Sequence, residues 1–323
     1  MIIRRRTLLA ASAASALASP AIAQSKFPSR GLQLVVAFAA GGSTDVGARL
    51  LAAAAEKELG QTVTVVNKAG AGGQLGFTEI ARARPDGYTM GFINLPAVNT
   101  IVLDPERKAV FTMDSFIPVA NQVLDPGLIW VKGDSPFKTM KDLVDAAKKA
   151  PNTVRACTTG ILSDDHLAIL MTHEAAGVEF RIVHFDSGVQ QLAGVMGGHV
   201  DVAFDNVGSV VKRVQSGEVR GLAVTDDVRS PFLPDVPTTK ELGYPTIISS
   251  STRGVAVPKG TPADVVKVLE AALLKAINSA DMKSKMDAAG LALKPMVGAD
   301  YAKYYADLHK QATKYTEWAL KMR

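Results

Sequence analysis

The sequence predicts an α/β protein with parallel strands and two domains. Short runs of β-branched residues alternate with Ala-rich stretches of helical spacing along most of the chain, as in repeated strand–helix units. Several turns from strand to helix are rich in glycine and hydroxyl residues. The chain has 323 residues, which is more than one simple hydrophobic core accommodates.

The N-terminus has the three parts of a secretory signal peptide. Arg4, Arg5 and Arg6 precede an apolar run at residues 8–18, and residues 21–23 form a small-residue cleavage site before Gln24. The apolar run is too short to span a bilayer comfortably. We therefore expect residues 1–23 to be removed and the mature chain to reach the periplasm, by either the general or the twin-arginine route.

The composition of the mature chain argues against two other classes. The leader carries three arginines and no acids, so it accounts for three of the five units of formal positive charge. No basic face that would bind nucleic acid is therefore expected. The single cysteine, Cys157, cannot form an internal disulfide, and no second apolar segment is long enough for a membrane span. We expect a soluble exported protein stabilised by packing.

The individual elements follow from hydrophobic periodicity and turn residues. Before a boundary at 134–136, the expected elements are a strand at 32–38, a helix at 45–59 that stops at Gly60, a strand at 62–66, a glycine-rich turn at 70–73 leading into a helix, and a strand at 88–94. After it, they are helices at 138–149, 164–176 and 188–196, a helix ending near 216 and a short one ending at 243, with strands at 154–158, 180–185, 200–204 and 219–225. A long extended segment at 246–257 follows, and the chain after Pro258 is expected to be almost wholly helical, with a last helix at 300–322.

Five strand-to-helix turns place small and hydroxyl residues at the start of a helix. Helix starts expose unpaired N–H groups and a partial positive charge, so they favour anions. In an open α/β sheet such turns lie at the carboxyl ends of strands, where ligands bind. These turns predict a carboxylate ligand, although turns of this kind also serve simply as helix caps. They are residues 39–44, 70–73, 158–163, 186–188 and 205–209.

Catalytic motifs are weak by comparison. The sequence has neither a G-x-S-x-G nucleophile elbow nor an H-E-x-x-H zinc pair. Residues 70–76 have only loose similarity to a dinucleotide loop and follow the second strand. His166 and His173 lie two turns apart without the Cys/His cluster that a metal site needs. An acid/base pair of His166 with Asp164 stays open; we otherwise expect no enzyme activity, no metal and no cofactor.

Seven segments resemble, in their order and spacing, the substrate-binding receptors of tripartite tricarboxylate transporters, the TctC-type or Bug receptors. The resemblance covers about residues 27–322. It implies a two-lobed periplasmic-binding-protein fold of type II, the Venus-flytrap arrangement, with the ligand cleft between the lobes. It also implies a receptor that delivers a small carboxylate to membrane transporter subunits. The segments are residues 34–45, 67–73, 85–89, 166–168, 197–201, 233–238 and 257–262.

Carried onto this chain, the resemblance implies ligand-binding positions in both lobes. One carboxylate is expected on the turn after the first strand and its partner loops, partly through ordered water. In lobe one the positions are Phe38, Ala40, Gly41, Gly42, Ser43, Asp45, Leu95, Pro96 and Ala97. In lobe two they are Thr158, Thr159, Gly160, Ser163, His166, Phe185, Asp186, Ser187, Asp205 and Asn206.

This chain departs from the family pattern in ways that bear on the ligand. Ala37 stands where the family commonly has proline, and residues 184–188 replace a Pro-Tyr-Lys-Gly turn, which exchanges a lysine for Asp186. Acids that face a cleft need a cation or a hydrogen-bond donor as partner. Our hypothesis is that the solute carries an amine, amide or hydroxyl besides its carboxylate. The open alternative is that Asp186 and Asp164 only cap helix starts.

The expected protein is a monomeric receptor with no catalytic residue. We place lobe one at residues 24–127 plus 254–323 and lobe two at residues 128–253. Two rivals remain for its function. One is an enzyme on the same scaffold that uses His166 with Asp164. The other is a sensory partner that binds the solute but acts on a signalling protein.

Overall fold

The computed structural model describes residues 27–321, so the predicted signal peptide lies outside the described residues. Strands and helices alternate through most of this range, as the periodicity predicts. The strands are β1 (Leu32–Val36), β2 (Val63–Asn67), β3 (Thr89–Leu95), β4 (Phe116–Lys132), β5 (Arg155–Thr158), β6 (Arg181–His184), β7 (Val202–Asn206), β8 (Val219–Thr225), β9 (Ser250–Pro258) and β10 (Leu293–Val297). The helices are α1 (Ser43–Leu59), α2 (Gln74–Arg82), α3 (Ala97–Leu103), α4 (Met140–Lys149), α5 (Asp164–Ala176), α6 (Gly188–Met196), α7 (Val207–Gln215), α8 (Ala263–Ile277), α9 (Ala280–Ala289) and α10 (Gly298–Lys321).

The strands form two sheets that share the long strand β4. The first sheet has the order β2-β1-β3-β9-β4-β10, and the second has the order β8-β4-β7-β5-β6. Strand β1 pairs in parallel with β2 and β3, and β5 pairs in parallel with β6 and β7. Strands β4 and β9 run antiparallel to their neighbours. The predicted parallel units therefore lie on the outer side of each sheet, and antiparallel strands join them.

Strand β4 passes from one sheet to the other between Pro126 and Gly127. Residues 116–126 pair with β9, and residues 127–132 pair with β7 and β8. No strand was predicted here from the sequence, and proline and aspartate are indeed poor strand residues. The pairing of β4 with β9 shifts register after Pro118 and again after Asn121, and such irregularities let a strand bend around residues that break the ladder.

Helices cover both faces of each sheet. On the first sheet, Leu51 of α1 and Leu273 of α8 belong to one apolar core, and Phe77 of α2 and Val98 of α3 belong to the core on the opposite face. On the second sheet, α4 and α5 pack on one face and α6 and α7 on the other. Faces covered in this way direct ligands to the ends of the strands.

The last helix, α10, contacts elements of both sheets. Tyr301 and Tyr305 near its start are buried and lie close to β4 and α3 of the first sheet. Tyr315 and Trp318 near its end pack in a cluster with Leu167 of α5. The aromatic residues of α10 are thus a packing face, as their helical spacing predicts. Within residues 27–321, no helix combines the length and the apolar character needed to cross a membrane.

Local rules predicted some boundaries well and others wrongly. Helices α5 and α6 begin and end at the predicted residues, and each has a serine cap: Ser163 accepts a hydrogen bond from the His166 N–H, and Ser187 accepts one from the Gln190 N–H. The expected short helix ending at Gly243 is instead a series of turns. Strand β10 interrupts the region after Pro258 that was expected to be helical, because pairing with β4 stabilises a segment with little strand signal of its own.

Candidate functional site

A cavity of about 50 Å³ lies where the ends of the strands of the two sheets face each other. The segments after β1, β2 and β3 form one wall, the segments after β5, β6 and β7 form the other, and β9 contributes two residues. This volume accommodates a few water molecules. The lining residues are Phe38, Ala39, Gly42, Ser43, Thr44, Gly72, Asn94, Ala97, Thr100, Ile101, Thr159, Gly160, Ile161, Ser163, Asp164, Ser187, Gly188, Asp205, Asn206, Ser209, Ser251 and Arg253.

Asp45 stabilises the conformation of the first wall from a position outside the cavity. Its side chain is buried, and its Oδ2 accepts hydrogen bonds of 2.9 Å from the Gly41 N–H and from Nε of Arg49. Its Oδ1 accepts a hydrogen bond of 2.9 Å from Asn67, which also donates to the Phe38 carbonyl. Asp45 is therefore a positioning residue for the turn at 38–44 and does not line the cavity.

The ionised form of Asp45 is favoured by these contacts. Burial raises its pKa, but the hydrogen bonds from Arg49, Gly41 and Asn67 outweigh burial and bring the pKa below its ordinary value. The carboxylate is thus charged at neutral pH. A charged acceptor with several donors fixes the turn more firmly than a neutral one.

Replacement of Asp45 by alanine is expected to loosen the turn at 38–44. The Gly41 N–H and the Asn67 amide lose a charged acceptor, and hydrogen bonds to charged groups contribute about 1.5 to 3 kcal/mol. We expect faster amide hydrogen exchange at Gly41 and a loss of solute affinity of about tenfold or more. Glu79→Ala, which removes a half-exposed ion pair with Lys68, is the control. Unchanged exchange at Gly41 in Asp45→Ala would contradict the positioning role.

The second wall has a similar brace. Asp165 is buried, and its Oδ2 accepts hydrogen bonds from the Thr159 N–H at 3.0 Å and from the Thr159 hydroxyl at 2.5 Å. His166 is also buried, and its Nδ1 accepts a hydrogen bond of 2.9 Å from the Leu162 N–H. Both side chains hold the loop at 159–162 against α5. His166 therefore positions a wall of the cavity without lining it.

One arginine links the two sheets at the floor of the cavity. Arg253 of β9 is 2% exposed, and its Nη1 lies 2.9 Å from Oδ2 of Asp125 in β4. Its Nη2 donates to Oδ1 of Asn206 at 3.0 Å, and the Asn206 amide donates to Oδ2 of Asp164 at 2.8 Å. The Gly208 N–H donates to the other oxygen of Asp125. This network joins β9, β4, β7 and α5, and all four of its side chains are buried.

Asp205 stands at the end of β7, on the second wall. Its Oδ1 accepts hydrogen bonds from the Asn206 N–H and from the Ser209 hydroxyl, whereas its buried Oδ2 has no hydrogen-bond partner. Burial raises the pKa of Asp205 to about 7; the bonds from Asn206 and Ser209 lower it, and the charges of Asp125 and Asp164 add to the rise. The Ser209 hydroxyl also lies 3.2 Å from that of Ser43 on the first wall. This pair joins the two walls directly.

The structure brings about half of the predicted binding residues to the cavity. Those that line it are Phe38, Gly42, Ser43, Ala97, Thr159, Gly160, Ser163, Ser187, Asp205 and Asn206. Those that lie outside it are Ala40, Gly41, Asp45, Leu95, Pro96, Thr158, His166, Phe185 and Asp186. Most of the second group sit one or two residues from a lining position, on the far side of a turn. Asp186, which stands where the family commonly has a lysine, is exposed to solvent and does not line the cavity. Its negative charge therefore does not lie in the cavity.

Several lining residues were not among the predicted positions. Gly72, Gly188 and Ser209 lie in the predicted glycine- and hydroxyl-rich turns, so composition already pointed to them. Asp164 is the first residue of α5 and directly follows the predicted turn at 158–163. Arg253 carried a weaker signal, a lone charge inside an otherwise uncharged extended segment. Thr100 and Ile101 belong to α3, for which no element was predicted. Within residues 27–321, no three His, Cys, Asp or Glu side chains are arranged to hold a metal ion.

Comparisons with known proteins agree with this architecture. The family model for TctC, the tripartite tricarboxylate transporter family receptor, matches residues 47–317. The chain is similar to the UPF0065 protein in the gbd 5' region of Cupriavidus necator, with 34% identity over 316 residues, which are 96% of this chain and 94% of that protein.

Two solved structures resemble it across almost their whole length. The periplasmic binding protein BugD has a TM-score of 0.82 and 31% identity, covering 91% of this chain and 98% of BugD. MatC from Rhodopseudomonas palustris, with bound malate, has a TM-score of 0.82 and 28% identity, covering 90% of this chain and 100% of MatC. The predicted α/β fold of a two-lobed periplasmic binding protein is thereby confirmed.

Proposed function

Since this chain belongs to the TctC family of tripartite tricarboxylate transporter receptors, we propose that it captures a small carboxylate in the periplasm and delivers it to the membrane subunits of such a transporter. The family consists of solute-binding receptors rather than enzymes. We further propose that the mature chain begins at residue 24, that it is a monomer and that it does not convert its solute chemically.

The observation that carries the proposal is a cavity built from both sheets at the starts of helices. Helix α1 begins at Ser43 and α6 at Gly188, and both residues line the cavity. Unpaired N–H groups at helix starts and nearby hydroxyls suit a carboxylate. MatC, which has the same fold, holds malate. A carboxylate bound at the start of α1 would contact the opposite wall as well.

We propose that the two walls belong to lobes that move apart to exchange the solute. Lobe one would comprise residues 24–127 plus 254–323, and lobe two residues 128–253. A solute that contacts both walls favours the closed state by the difference between its contacts in the two states. The Ser43–Ser209 hydroxyl pair would form only on closure. Release would then require the membrane subunits to favour the open form.

A thermal-shift screen of residues 24–323 against carboxylates, amino acids and aromatic acids tests the proposal. A ligand at a hundred times its Kd stabilises the folded state by about 2.7 kcal/mol, which raises the melting temperature by several degrees. We expect one carboxylate to raise the melting temperature and to be recovered chemically unchanged. A ligand recovered in altered form would overturn the receptor proposal in favour of an enzyme. If no carboxylate in the panel binds, the proposal of a carboxylate receptor is contradicted.

A further inference from the structure

We infer that the carried solute is an amino acid, and that its ammonium group binds to Asp205 and Asp164 on the second wall. The inference rests on the proposed function and names the chemistry of the ligand at the same cavity. Its basis is the distribution of charge and of hydrogen-bond acceptors around the cavity.

Carboxylates outnumber cations at this site. Asp164 and Asp205 both line the cavity and are less than 10% exposed. Arg253 is the one cationic residue among the lining residues, and Asp125, at 2.9 Å, already balances its charge. Two buried acids are therefore left without a cation of their own, and buried charges require a partner or hydrogen-bond donors.

The free acceptor is Oδ2 of Asp205. This oxygen is buried and has no hydrogen-bond partner, although Asp205 is only 3% exposed. A side chain added at Gly188 would come within 3.3 Å of the same oxygen, so the glycine keeps the space in front of it clear. An ammonium group has three N–H donors and a positive charge, and it satisfies an ionised Asp205 better than any neutral donor.

Arg253, a lining residue of the same cavity, carries a hydrogen-bond donor that could serve the carboxylate of an amino acid. Nε of Arg253 is buried and makes no hydrogen bond, and the start of α1 lies on the opposite wall. A zwitterion would place its carboxylate near these donors and its ammonium group near Asp205 and Asp164. A second carboxylate in place of the ammonium would instead stand beside Asp205 and Asp164, and like charges at short range repel.

The competing arrangement is a protonated Asp205 that donates a hydrogen bond to a carboxylate of the solute. Four titratable groups influence Asp205: Asp125 on β4, Asp164 and Asp165 on α5, and Cys157 on β5. The two arrangements differ in whether binding of the solute releases or takes up a proton. An ammonium ligand keeps Asp205 ionised, so binding near pH 7 releases a proton. A carboxylate on a neutral Asp205 takes one up.

The test compares matched solutes that differ only at carbon 2. The series are succinate, malate and aspartate; glutarate, 2-hydroxyglutarate and glutamate; and phenylpropionate, phenyllactate and phenylalanine. We expect titration calorimetry to show that the tightest series binds its amino member at least about tenfold more tightly than the others. Runs in two buffers of different ionisation enthalpy should show proton release. Tighter binding of a hydroxy or unsubstituted acid, or proton uptake, would overturn the inference and leave the carboxylate receptor standing.

Variants assign the preference to the two acids. Asp205→Asn and Asp164→Asn should each reduce the preference for the amino member by about tenfold, whereas Asp134→Asn, on an exposed loop, should retain it. The comparison of matched solutes and the proton measurement need only the unmodified protein, so together they test the inference even if a variant fails to fold. Retention of the full preference in both folded variants would contradict the assignment. If no solute in any series or in the thermal-shift panel binds, the proposed function fails together with the inference.

Discussion

Replacement of Arg253 by methionine is expected to lower the free energy of unfolding by about 3 to 5 kcal/mol, the cost of leaving one member of a buried ion pair alone. The Arg253 and Asp125 side chains are 2% and 1% exposed. Methionine keeps the volume of the aliphatic stem but removes the charge. The Asp125 carboxylate would then keep only the Gly208 N–H as a donor.

The pH dependence of this loss has a definite sign. Burial raises the pKa of Asp125 in the folded protein, and Arg253 and the Gly208 N–H oppose that rise. Without Arg253 the folded pKa rises further. Below the folded pKa of Asp125 in either protein, the carboxyl group is protonated in both folded states, so the variant loses least at acidic pH. The unfolded state ionises alike in both proteins, so the deficit of the variant grows between the folded pKa of Asp125 in the unmodified protein and its higher folded pKa in the variant.

Thermal unfolding of the ligand-free protein at pH 5 and pH 8 measures both effects. We expect a decrease in melting temperature of roughly 6 to 20 °C, with the larger decrease at pH 8. Arg213→Met, which removes a half-exposed pair with Glu218, should cost less than about 1 kcal/mol. The double variant Asp125→Asn/Arg253→Met should be more stable than the single Arg253 variant. A single variant that melts within about 2 °C of the unmodified protein would show that the pair contributes little.

Cysteines at Ser43 and Ser209 are expected to lock the cavity shut when they are oxidised. The two hydroxyl oxygens lie 3.2 Å apart on opposite walls, and a disulfide needs a sulfur separation of about 2.05 Å. The crosslink would close a chain segment of 166 residues in sequence separation, which stabilises the folded state by up to about 5 kcal/mol in the chain-entropy model. The native Cys157 is buried and should not compete.

The oxidised double variant should neither take up nor release the solute, since exchange requires the walls to separate. The amount of solute exchanged should fall in proportion to the molecules that have formed the disulfide, as measured by counting the remaining free thiols. A reductant should restore the exchange. The probe is the carboxylate that gives the largest thermal shift. Ser43→Cys and Ser209→Cys alone are the controls and should exchange it in both redox states. A fully oxidised double variant that exchanges the solute at the normal rate would contradict the proposal that two lobes close over the cavity.

The sequence predicted best where a rule acts within a few residues. Helices α5 and α6 start at a serine cap and continue as a periodic apolar run, and α1 stops at Gly60, which has the left-handed backbone (φ 65°) typical of helix ends. Asp45 shows the limit of such rules. Its position near the site followed from the turn, but its role as a brace depends on Asn67, which lies 22 residues further along the chain.

By itself, then, the sequence determined the α/β class and the turns that line the cavity, because periodicity, helix capping and glycine turns are local properties. The receptor family followed from the resemblance of seven segments in their order and spacing. Only the tertiary structure decided the path of β4 through both sheets and the electrostatics of the site. Arg253 is 128 residues from Asp125 in the sequence, yet the antiparallel pairing of β9 with β4 brings them into contact. Charge pairing depends on distance and burial, and the fold alone sets both.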